Sequence, residues 1–157
     1  MSQLLTIRAL QPDDLPQFLT LCKAHAAYEK AQWVDDDQMA RWKIAFFSDT
    51  PALFGWVAEQ AGTLYGFMTV TVDYATWPAA YFAHMDCLYI EESQRGQGLG
   101  RRFFETLGLF CQQRQYRLIQ WQTPADNELG IGFYRRMGAT SKPKLRFFLD
   151  VECDVTK

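Results

Sequence analysis

A glycine-rich turn in the second half of the chain constrains the fold more than any other feature. The turn, residues 95–100, follows an apolar run at 85–90 and opens a helix-like run at 99–111. Another strand-like run comes at 117–122, so this part predicts a parallel strand pair joined by a right-handed helical crossover. Glycine lets the backbone approach a ligand closely, and the free N–H groups of a helix start attract anions. The turn therefore indicates a phosphate site, although many such turns are only structural.

The spacing within the turn excludes two common phosphate-binding motifs. A P-loop needs Gly-Lys-Ser or Gly-Lys-Thr after the glycines, and neither follows here. The dinucleotide motif G-x-G-x-x-G needs a third glycine where Phe103 stands. The remaining pattern is R-x-x-G-x-G, formed by Arg95, Gly98 and Gly100.

Hydrophobic periodicity predicts a mixed α/β architecture over one domain, residues 1–157. Strands are expected at 4–10, 53–59, 64–72, 80–90, 117–122 and 144–151, and helices at about 12–27, 35–47, 99–111 and 127–137. The second helix is expected to start with a capping box from Asp35 to Gln38 and to bury Met39, Trp42 and Phe46. The hairpin-linked strands are antiparallel and the crossover pair is parallel, which gives a mixed, mostly antiparallel sheet with helices on both faces.

Composition and charge exclude several classes of function. The net charge is −2 with no basic tract, so we expect no nucleic-acid partner. No apolar run approaches the length of a membrane span, and the first residues do not resemble a signal peptide. Four cysteines without a C-x-x-C pair and two histidines predict no metal site and reduced thiols. We therefore expect a cytoplasmic protein without a membrane partner.

The R-x-x-G-x-G pattern and its flanks resemble the GNAT N-acetyltransferase superfamily. The stretch 127–139 is similar to the family's N-x-x-A-x-x-F/L-Y-x-x-x-G-F, with Gly130 and Ala139 as replacements. The element order also matches, so the resemblance covers nearly the whole chain. It implies a sheet splayed at an acetyl-CoA site, with acetyl-CoA as cosubstrate, and a homodimer. The cosubstrate-binding residues it implies are Leu88, Tyr89, Ile90, Arg95, Gly96, Gln97, Gly98, Leu99, Gly100, Arg101, Asn127 and Phe133.

A narrower resemblance points to the diamine (spermidine/spermine) N-acetyltransferase branch. Ala27-Tyr28-Glu29 and the stretch 132–139 are similar to that branch, which implies that Tyr28 and Glu29 bind the acceptor amine. The branch has an adjacent Glu-Asp pair before the glycine turn, whereas this chain has Asp86 followed by Cys87.

The resemblance also implies catalytic roles, each with a structural alternative. Tyr134 is expected to be the general acid, because a phenol stays protonated at neutral pH and can protonate a leaving thiolate. A tyrosine that only packs the helix onto the sheet is the alternative. Asp86 is expected to be the base, acting through a water, unless it is only a surface carboxylate. His84, two residues earlier on the strand, is a competing base and a further acceptor-site residue.

Together these features predict an acetyl-CoA-dependent N-acetyltransferase that acts directly on a primary amine of a small, polyamine-like molecule. An acetyl-cysteine intermediate on Cys87 is disfavoured, because no histidine stands at a readable spacing from it. Three alternatives remain open: a protein or peptide amine acceptor, a catalytically silent acyl-CoA-binding domain, and a generic nucleotide binder.

Overall fold

A computed structural model describes residues 4–153 of the chain. In chain order its elements are β1 (Thr6–Ala9), α1 (Leu15–Tyr28), α2 (Gln38–Phe47), β2 (Phe54–Gln60), β3 (Thr63–Ala75), β4 (Ala80–Ile90), α3 (Leu99–Arg114), β5 (Ile119–Gln120) and α4 (Glu128–Arg136). Short 3-10 turns, Pro12–Asp14 and Glu92–Gln94, precede α1 and the glycine turn. The described chain divides into a unit that ends at Pro124, with the sheet and α1–α3, and a unit that begins at Ala125, with α4.

The sheet confirms the predicted mixed topology. Its order is β1-β2-β3-β4-β5, with antiparallel pairing from β1 to β4 and parallel pairing between β4 and β5. A tight turn, residues 60–63, joins β2 to β3, and Gly62 within it has a φ of +80°. A parallel pair cannot be joined by a hairpin, so α3 supplies the connection between β4 and β5.

Helices cover both faces of the sheet, as the sequence predicts. On one face, Phe103 and Leu107 of α3 are fully buried against Met68, Val70 and Met85. On the other face, a second cluster joins α1 and α2 to the sheet through Phe18, Leu21, Phe46, Val57 and Phe67. Phe18 makes edge-to-face contacts with the rings of Trp42, Phe46 and Phe67. These buried rings fix α1 on the sheet, and the end of α1 is therefore held at a defined position.

A partly buried ion pair fixes the start of α1. Asp14 accepts hydrogen bonds from Arg8 Nη1 at 2.7 Å, Arg8 Nη2 at 2.9 Å and the backbone N–H of Gln11 at 2.8 Å. Burial of the Asp14 carboxyl alone would raise its pKa, but these hydrogen bonds and the charge of Arg8 lower the pKa below its usual value. The acid therefore closes the 3-10 turn that precedes α1 and ties this turn to β1.

The structure corrects the sequence predictions at several elements. Strand β5 has two residues rather than the six at 117–122, because it pairs with β4 only at Ala83 and His84. The predicted strand at 144–151 does not form: its backbone has no partner strand among the described residues, and its apolar side chains are exposed. Met39 is exposed rather than buried. Gln38 accepts a hydrogen bond from the backbone N–H of Asp36, so the predicted capping box with Asp35 is wrong.

The described chain has neither a helix that could cross a membrane nor a group of three acidic, histidine or cysteine side chains suited to a metal ion.

Candidate active site

Strand β4 changes its facing pattern at Asp86. Thr69 pairs with Cys87 and the next residue, Val70, pairs with Met85, so Asp86 is an extra residue in the ladder. Met85 and Leu88 contact the cluster on the α3 face, whereas Cys87 contacts the cluster on the α1 face. Asp86 and Cys87 together therefore occupy the place of one residue, which is a β-bulge. The bulge leaves the carboxylate of Asp86 exposed, with one oxygen 3.7 Å from Cys87 Sγ.

Beyond the bulge, β4 has an open edge. Its only parallel pairings with β5 are Ala83 with Ile119 and His84 with Gln120. Residues 85–90 continue to pair with β3, but no strand of the described residues pairs with them on the other side. Leu88, Tyr89 and Ile90, which the family resemblance assigns to the cosubstrate, lie on this edge. An open strand edge offers backbone donors and acceptors to an extended ligand such as a pantetheine arm.

The glycine turn ends in an uncapped helix start. Gly96 and Gly98 have φ values of +75° and +78°, and no atom lies within 4 Å of the position that a Cβ would take at either residue. Gly98 is the N-cap of α3, and no side chain of residues 4–153 caps the helix. Gly100 and Arg101 are in its first turn, where the N–H groups have no intrahelical acceptor. The amides without an intrahelical acceptor and the side chain of Arg101 make this helix start suitable for a pyrophosphate.

Arg95, the first residue of the turn, contacts both β4 and α1. Its Nε donates to the carbonyl oxygen of Ile90 at 2.8 Å. Its guanidinium carbon lies 4.9 Å from the centre of the Tyr28 ring and 5.8 Å from that of the Tyr89 ring. This cation–π arrangement joins the end of α1 to the end of β4. Gln97 is anchored nearby by a hydrogen bond from its Nε2 to the carbonyl of Ser93 at 3.3 Å.

The end of α1 presents side chains toward the same strand. Tyr28 is the last residue of α1 and Glu29 is its C-cap. His25 Nε2 lies 3.1 Å from Glu29 Oε1, and the His25 ring stacks on the Tyr89 ring with centroids 5.5 Å apart. The structure therefore brings the sequence-predicted acceptor residues Tyr28 and Glu29 to the side of β4 that also carries Cys87 and Tyr89.

The two predicted bases are in different surroundings. Asp86 is exposed at the bulge, as described above. His84 lies before the bulge, is partly buried, and its Nδ1 is 3.4 Å from Thr71 Oγ1. It also sits where β4 is still paired on both sides, with Thr71 and with Gln120.

Cys87 is a poor nucleophile in this environment. Burial raises the pKa of its thiol to about 12, and the negative charges of Asp86 and Glu29 contribute to the increase. A thiol with this pKa is protonated at neutral pH, and the protonated form does not attack a thioester. Burial likewise raises the pKa of Tyr89, although the charge of Arg95 partly opposes it, so this phenol is also neutral.

In the second unit, α4 carries the remaining predicted residues. Asn127 caps the helix, because its side-chain oxygen accepts from the backbone N–H of Gly130 at 3.2 Å. A Cβ at position 130 would lie against the side-chain amide of Asn127, so alanine there would require this side chain to shift. Phe133 and Tyr134 are adjacent and partly buried, with ring centroids 5.5 Å apart. Gly138 follows the helix with a φ of +91°, as its predicted C-terminal role requires.

Sequence reasoning missed His25 and the ring of Tyr89. Tyr89 was predicted to contribute through its backbone, but its ring also stacks on His25 and lies beside Arg95. The available signal for His25 was its position four residues before Glu29, because side chains at i and i+4 of a helix are neighbours.

A model of the acetyltransferase (GNAT) family matches residues 13–139. This range contains α1, the open edge of β4, the glycine turn and α4. The chain therefore belongs to the GNAT acetyltransferase family.

Two relatives are similar in sequence over most of this chain. Phosphinothricin N-acetyltransferase of Alcaligenes faecalis is 30% identical over 139 residues, which are 85% of this chain and 68% of that protein. An uncharacterized N-acetyltransferase of Methanocaldococcus jannaschii is 24% identical over 146 residues, which are 92% of this chain and 64% of that protein. The chain thus spans about two thirds of the length of these relatives.

Solved structures share the fold at lower identity. An aminoglycoside N-acetyltransferase in complex with CoA superposes with a TM-score of 0.79 at 16% identity, covering 96% of this chain and 97% of that one. An aminoglycoside acetyltransferase from a soil metagenomic sample, in complex with sisomicin, gives a TM-score of 0.77 at 17% identity, covering 95% and 97%. These likenesses confirm the predicted GNAT-like fold.

Proposed function

We propose that this chain is an acetyl-CoA-dependent N-acetyltransferase that transfers the acetyl group directly to a primary amine of a small cationic molecule. The observation that carries the proposal is the uncapped start of α3 at a glycine turn, directly after a strand with an open edge. A diphosphate with a long amide-containing arm has chemistry that matches these two features together. Membership of the GNAT family supports the same cosubstrate.

In the proposed binding mode, backbone groups hold most of the cosubstrate. The pyrophosphate accepts hydrogen bonds from the amides of residues 96–100, with the charge of Arg101 nearby. The pantetheine arm pairs with the backbone of residues 88–90. The N–H of Leu88 polarises the thioester carbonyl, where negative charge develops in the transition state. The family resemblance also assigns Asn127 and Phe133 to the cosubstrate.

The reaction then proceeds by direct attack. The amine nitrogen forms a bond to the thioester carbonyl carbon, and the carbon–sulfur bond breaks. Before attack, the ammonium loses one proton through a water to Asp86, with His84 as the alternative acceptor. After attack, the nitrogen releases its second proton to solvent. The departing thiolate takes a proton from the Tyr134 phenol, which recovers one from solvent. The protonated state of Cys87 supports this direct route over an acetyl-cysteine intermediate.

A polyamine-like acceptor is the substrate class that we propose. The carboxylate of Glu29 and the ring of Tyr28 offer an ion pair and a π face to an ammonium group. Glu29→Gln should raise the KM for the acceptor about tenfold, an effect between those of an exposed ion pair and a charge-assisted hydrogen bond. The KM for acetyl-CoA should stay the same, and an unchanged acceptor KM would reject this role.

The experiment that tests the function follows release of free CoA thiol across a panel of amines. The panel contains diamines and spermidine, amino acids, peptides, phosphinothricin and sisomicin. Phosphinothricin is included because one relative is a phosphinothricin N-acetyltransferase, and sisomicin because an aminoglycoside acetyltransferase of the same fold is solved in complex with it. We expect turnover with the diamines. Turnover with peptides alone would favour a protein acceptor, and acetyl-CoA binding without any turnover would favour a silent acyl-CoA-binding domain.

Three variants assign the acid and the base. Tyr134→Phe should lower kcat about 100-fold with little change in either KM, because it removes only the proton donor. Asp86→Asn should lower kcat by a similar factor, whereas His84→Gln should change it little. A larger loss in His84→Gln than in Asp86→Asn would assign the base to His84 instead.

We further propose a homodimer in the cytoplasm. The apolar side chains of Leu145, Phe147, Leu149 and Val151 are exposed in this chain, and monomers rarely leave so much apolar surface in water. The described cysteines are free thiols, as a reducing compartment requires. Light scattering should give twice the chain mass of 18.2 kDa, and Phe147→Lys should reduce it to the mass of the monomer. A monomeric wild type would reject the dimer.

A further inference from the structure

His25 is one of only two histidines in the chain, and it makes a specific contact that the function proposed above does not use. It lies one helical turn before Glu29, and its Nε2 is 3.1 Å from Glu29 Oε1. An ionised carboxylate can only accept hydrogen bonds, so Nε2 carries the hydrogen and donates it. The contact therefore has a defined direction, from the imidazole to the carboxylate.

The imidazole is held by aromatic rings on two strands. It stacks on Tyr89 of β4, with an interplanar angle of 29°, and it meets the edge of Phe67 of β3 at a centroid distance of 5.8 Å. The His25 side chain is 14% exposed, whereas that of Glu29 is 38% exposed. The imidazole is thus held by packing, whereas the more exposed carboxylate has fewer packing contacts to hold it.

The position of Glu29 needs such a donor. Glu29 is the C-cap of α1, where the helix dipole disfavours a negative charge. A glutamate side chain at an exposed helix end also has several rotamers available to it. The local structure alone therefore would not hold this carboxylate in one place. The hydrogen bond from His25 compensates for both effects.

Glu29 also lies close enough to act on β4. Its negative charge contributes to the raised pKa of the Cys87 thiol, at the bulge that carries Asp86. On the other side, Arg95 contacts both Tyr28 and Tyr89, so the end of α1 is joined to β4 at two neighbouring points. The carboxylate consequently faces the strand that is proposed to hold the thioester.

We propose that His25 is a positioning residue that holds the Glu29 carboxylate in one orientation for a cationic acceptor. This inference rests on the proposed binding of the acceptor by Glu29. His25 itself touches neither the acceptor nor the reacting atoms. It limits the orientations of Glu29, so that the ammonium meets a carboxylate that is already in place.

The test compares two substitutions of His25, one that removes the hydrogen-bond donor and one that removes the aromatic ring. Spermidine is the acceptor. His25→Phe keeps an aromatic ring against Tyr89 and Phe67 but removes the donor. His25→Gln loses the ring but keeps an amide donor. We expect His25→Phe to raise the KM for spermidine about fivefold, the typical effect of one hydrogen bond. His25→Gln should recover part of this loss, and the KM for acetyl-CoA and the melting temperature of His25→Phe should not change.

Combination with Glu29→Gln separates the two claims. If His25 acts through Glu29, His25→Phe should have little further effect in the Glu29→Gln background. The same fivefold effect in both backgrounds would overturn the positioning role. If Glu29→Gln raises the KM and His25→Phe does not, the positioning role fails while the proposed role of Glu29 stands. If Glu29→Gln itself has no effect, the proposed acceptor site fails.

A spectroscopic measurement on the unmodified chain gives a second test that does not depend on variant folding. The nitrogen-15 chemical shifts of the imidazole side chains report which ring nitrogen is protonated. The chain has two histidines, and the His25 signals are assigned through NOE contacts with the rings of Phe67 and Tyr89. We expect a proton on Nε2 of His25. A neutral ring protonated only on Nδ1 could not donate to Glu29 and would overturn the inference.

Discussion

The glycine turn and the end of α1 both adjoin the end of β4, and they present different kinds of groups to a ligand. The turn offers backbone amides, which positive φ values at Gly96 and Gly98 hold at the uncapped start of α3. The end of α1 offers side chains, chiefly Glu29 and Tyr28. His25 contacts the Glu29 carboxylate, and Arg95 contacts the Tyr28 ring. The first kind of surface suits a ligand that many related enzymes share. The second kind can change its ligand through single substitutions while the fold stays the same.

The largest effect that this comparison predicts is at Gly98. Gly98→Ala places a side chain at a φ of +78°, which costs about 1–2 kcal/mol and displaces amides that would each bind an anion. We expect the Kd for acetyl-CoA to rise about 100-fold, measured by calorimetry. Gly62→Ala is the matched control, because Gly62 has a φ of +80° in the β2–β3 turn. If both variants lose equal stability and neither loses affinity, the turn is not a binding site.

A smaller effect at Arg95 tests whether the glycine turn and the end of α1 are joined. Arg95→Lys keeps the charge but loses the hydrogen bond from Nε to Ile90 and the cation–π contacts of the planar guanidinium with Tyr28 and Tyr89. We expect it to raise both the KM for the acceptor and the Kd for acetyl-CoA about fivefold. Arg95→Gln should behave similarly. If lysine preserves both values and glutamine does not, Arg95 acts as a charge for the phosphates instead.

The smallest effect on either ligand is expected at Asp14, which supports the start of α1. Asp14→Asn should lower the free energy of unfolding at pH 7 by about 1–3 kcal/mol without changing either KM, because it weakens only the contacts with Arg8 and Gln11. Asp13→Asn, an exposed neighbour, is the control.

This prediction has a defined pH dependence. The pKa of Asp14 in the folded chain lies below its ordinary value of 3.8. Its ionised form therefore stabilises the fold above that ordinary value, and the contribution is lost as the pH falls through the lower pKa. In urea titrations, the difference between wild type and Asp14→Asn should be constant from neutral pH down to about pH 5 and shrink below pH 4. A difference that grows in acid would contradict it.

The same contrast explains how much of the site could be predicted from the sequence. The glycine turn could be predicted from the sequence because its conformation depends on glycine itself, and Gly96 and Gly98 have the expected positive φ values. The bulge at Asp86 could not be predicted in this way. Ala83 and Met85 face α3 before Asp86, and Leu88 and Ile90 face it afterwards, a change of phase that becomes visible only when the buried face is known.

Other differences between the predictions and the structure arise because a hydrophobic pattern does not show whether a strand has a neighbouring strand to pair with. The alternation of Leu145, Phe147, Leu149 and Val151 predicts a half-buried strand, but the described chain gives its backbone no neighbouring strand. Strand β5 is shortened for a similar reason, since its pairing with β4 ends at His84. His25 was overlooked because its importance depends on Tyr89 and Phe67, which come from two other strands.

The central claim, that the turn and the open edge of β4 bind acetyl-CoA, is tested most directly by calorimetric titration of the unmodified chain. Acetyl-CoA and ATP share an adenine nucleotide with phosphates, but only acetyl-CoA has an arm that can pair with residues 88–90. We expect saturable, one-to-one binding of acetyl-CoA and no saturation by ATP at the same concentrations. Binding of ATP as tight as that of acetyl-CoA, or no binding of acetyl-CoA, would contradict the account.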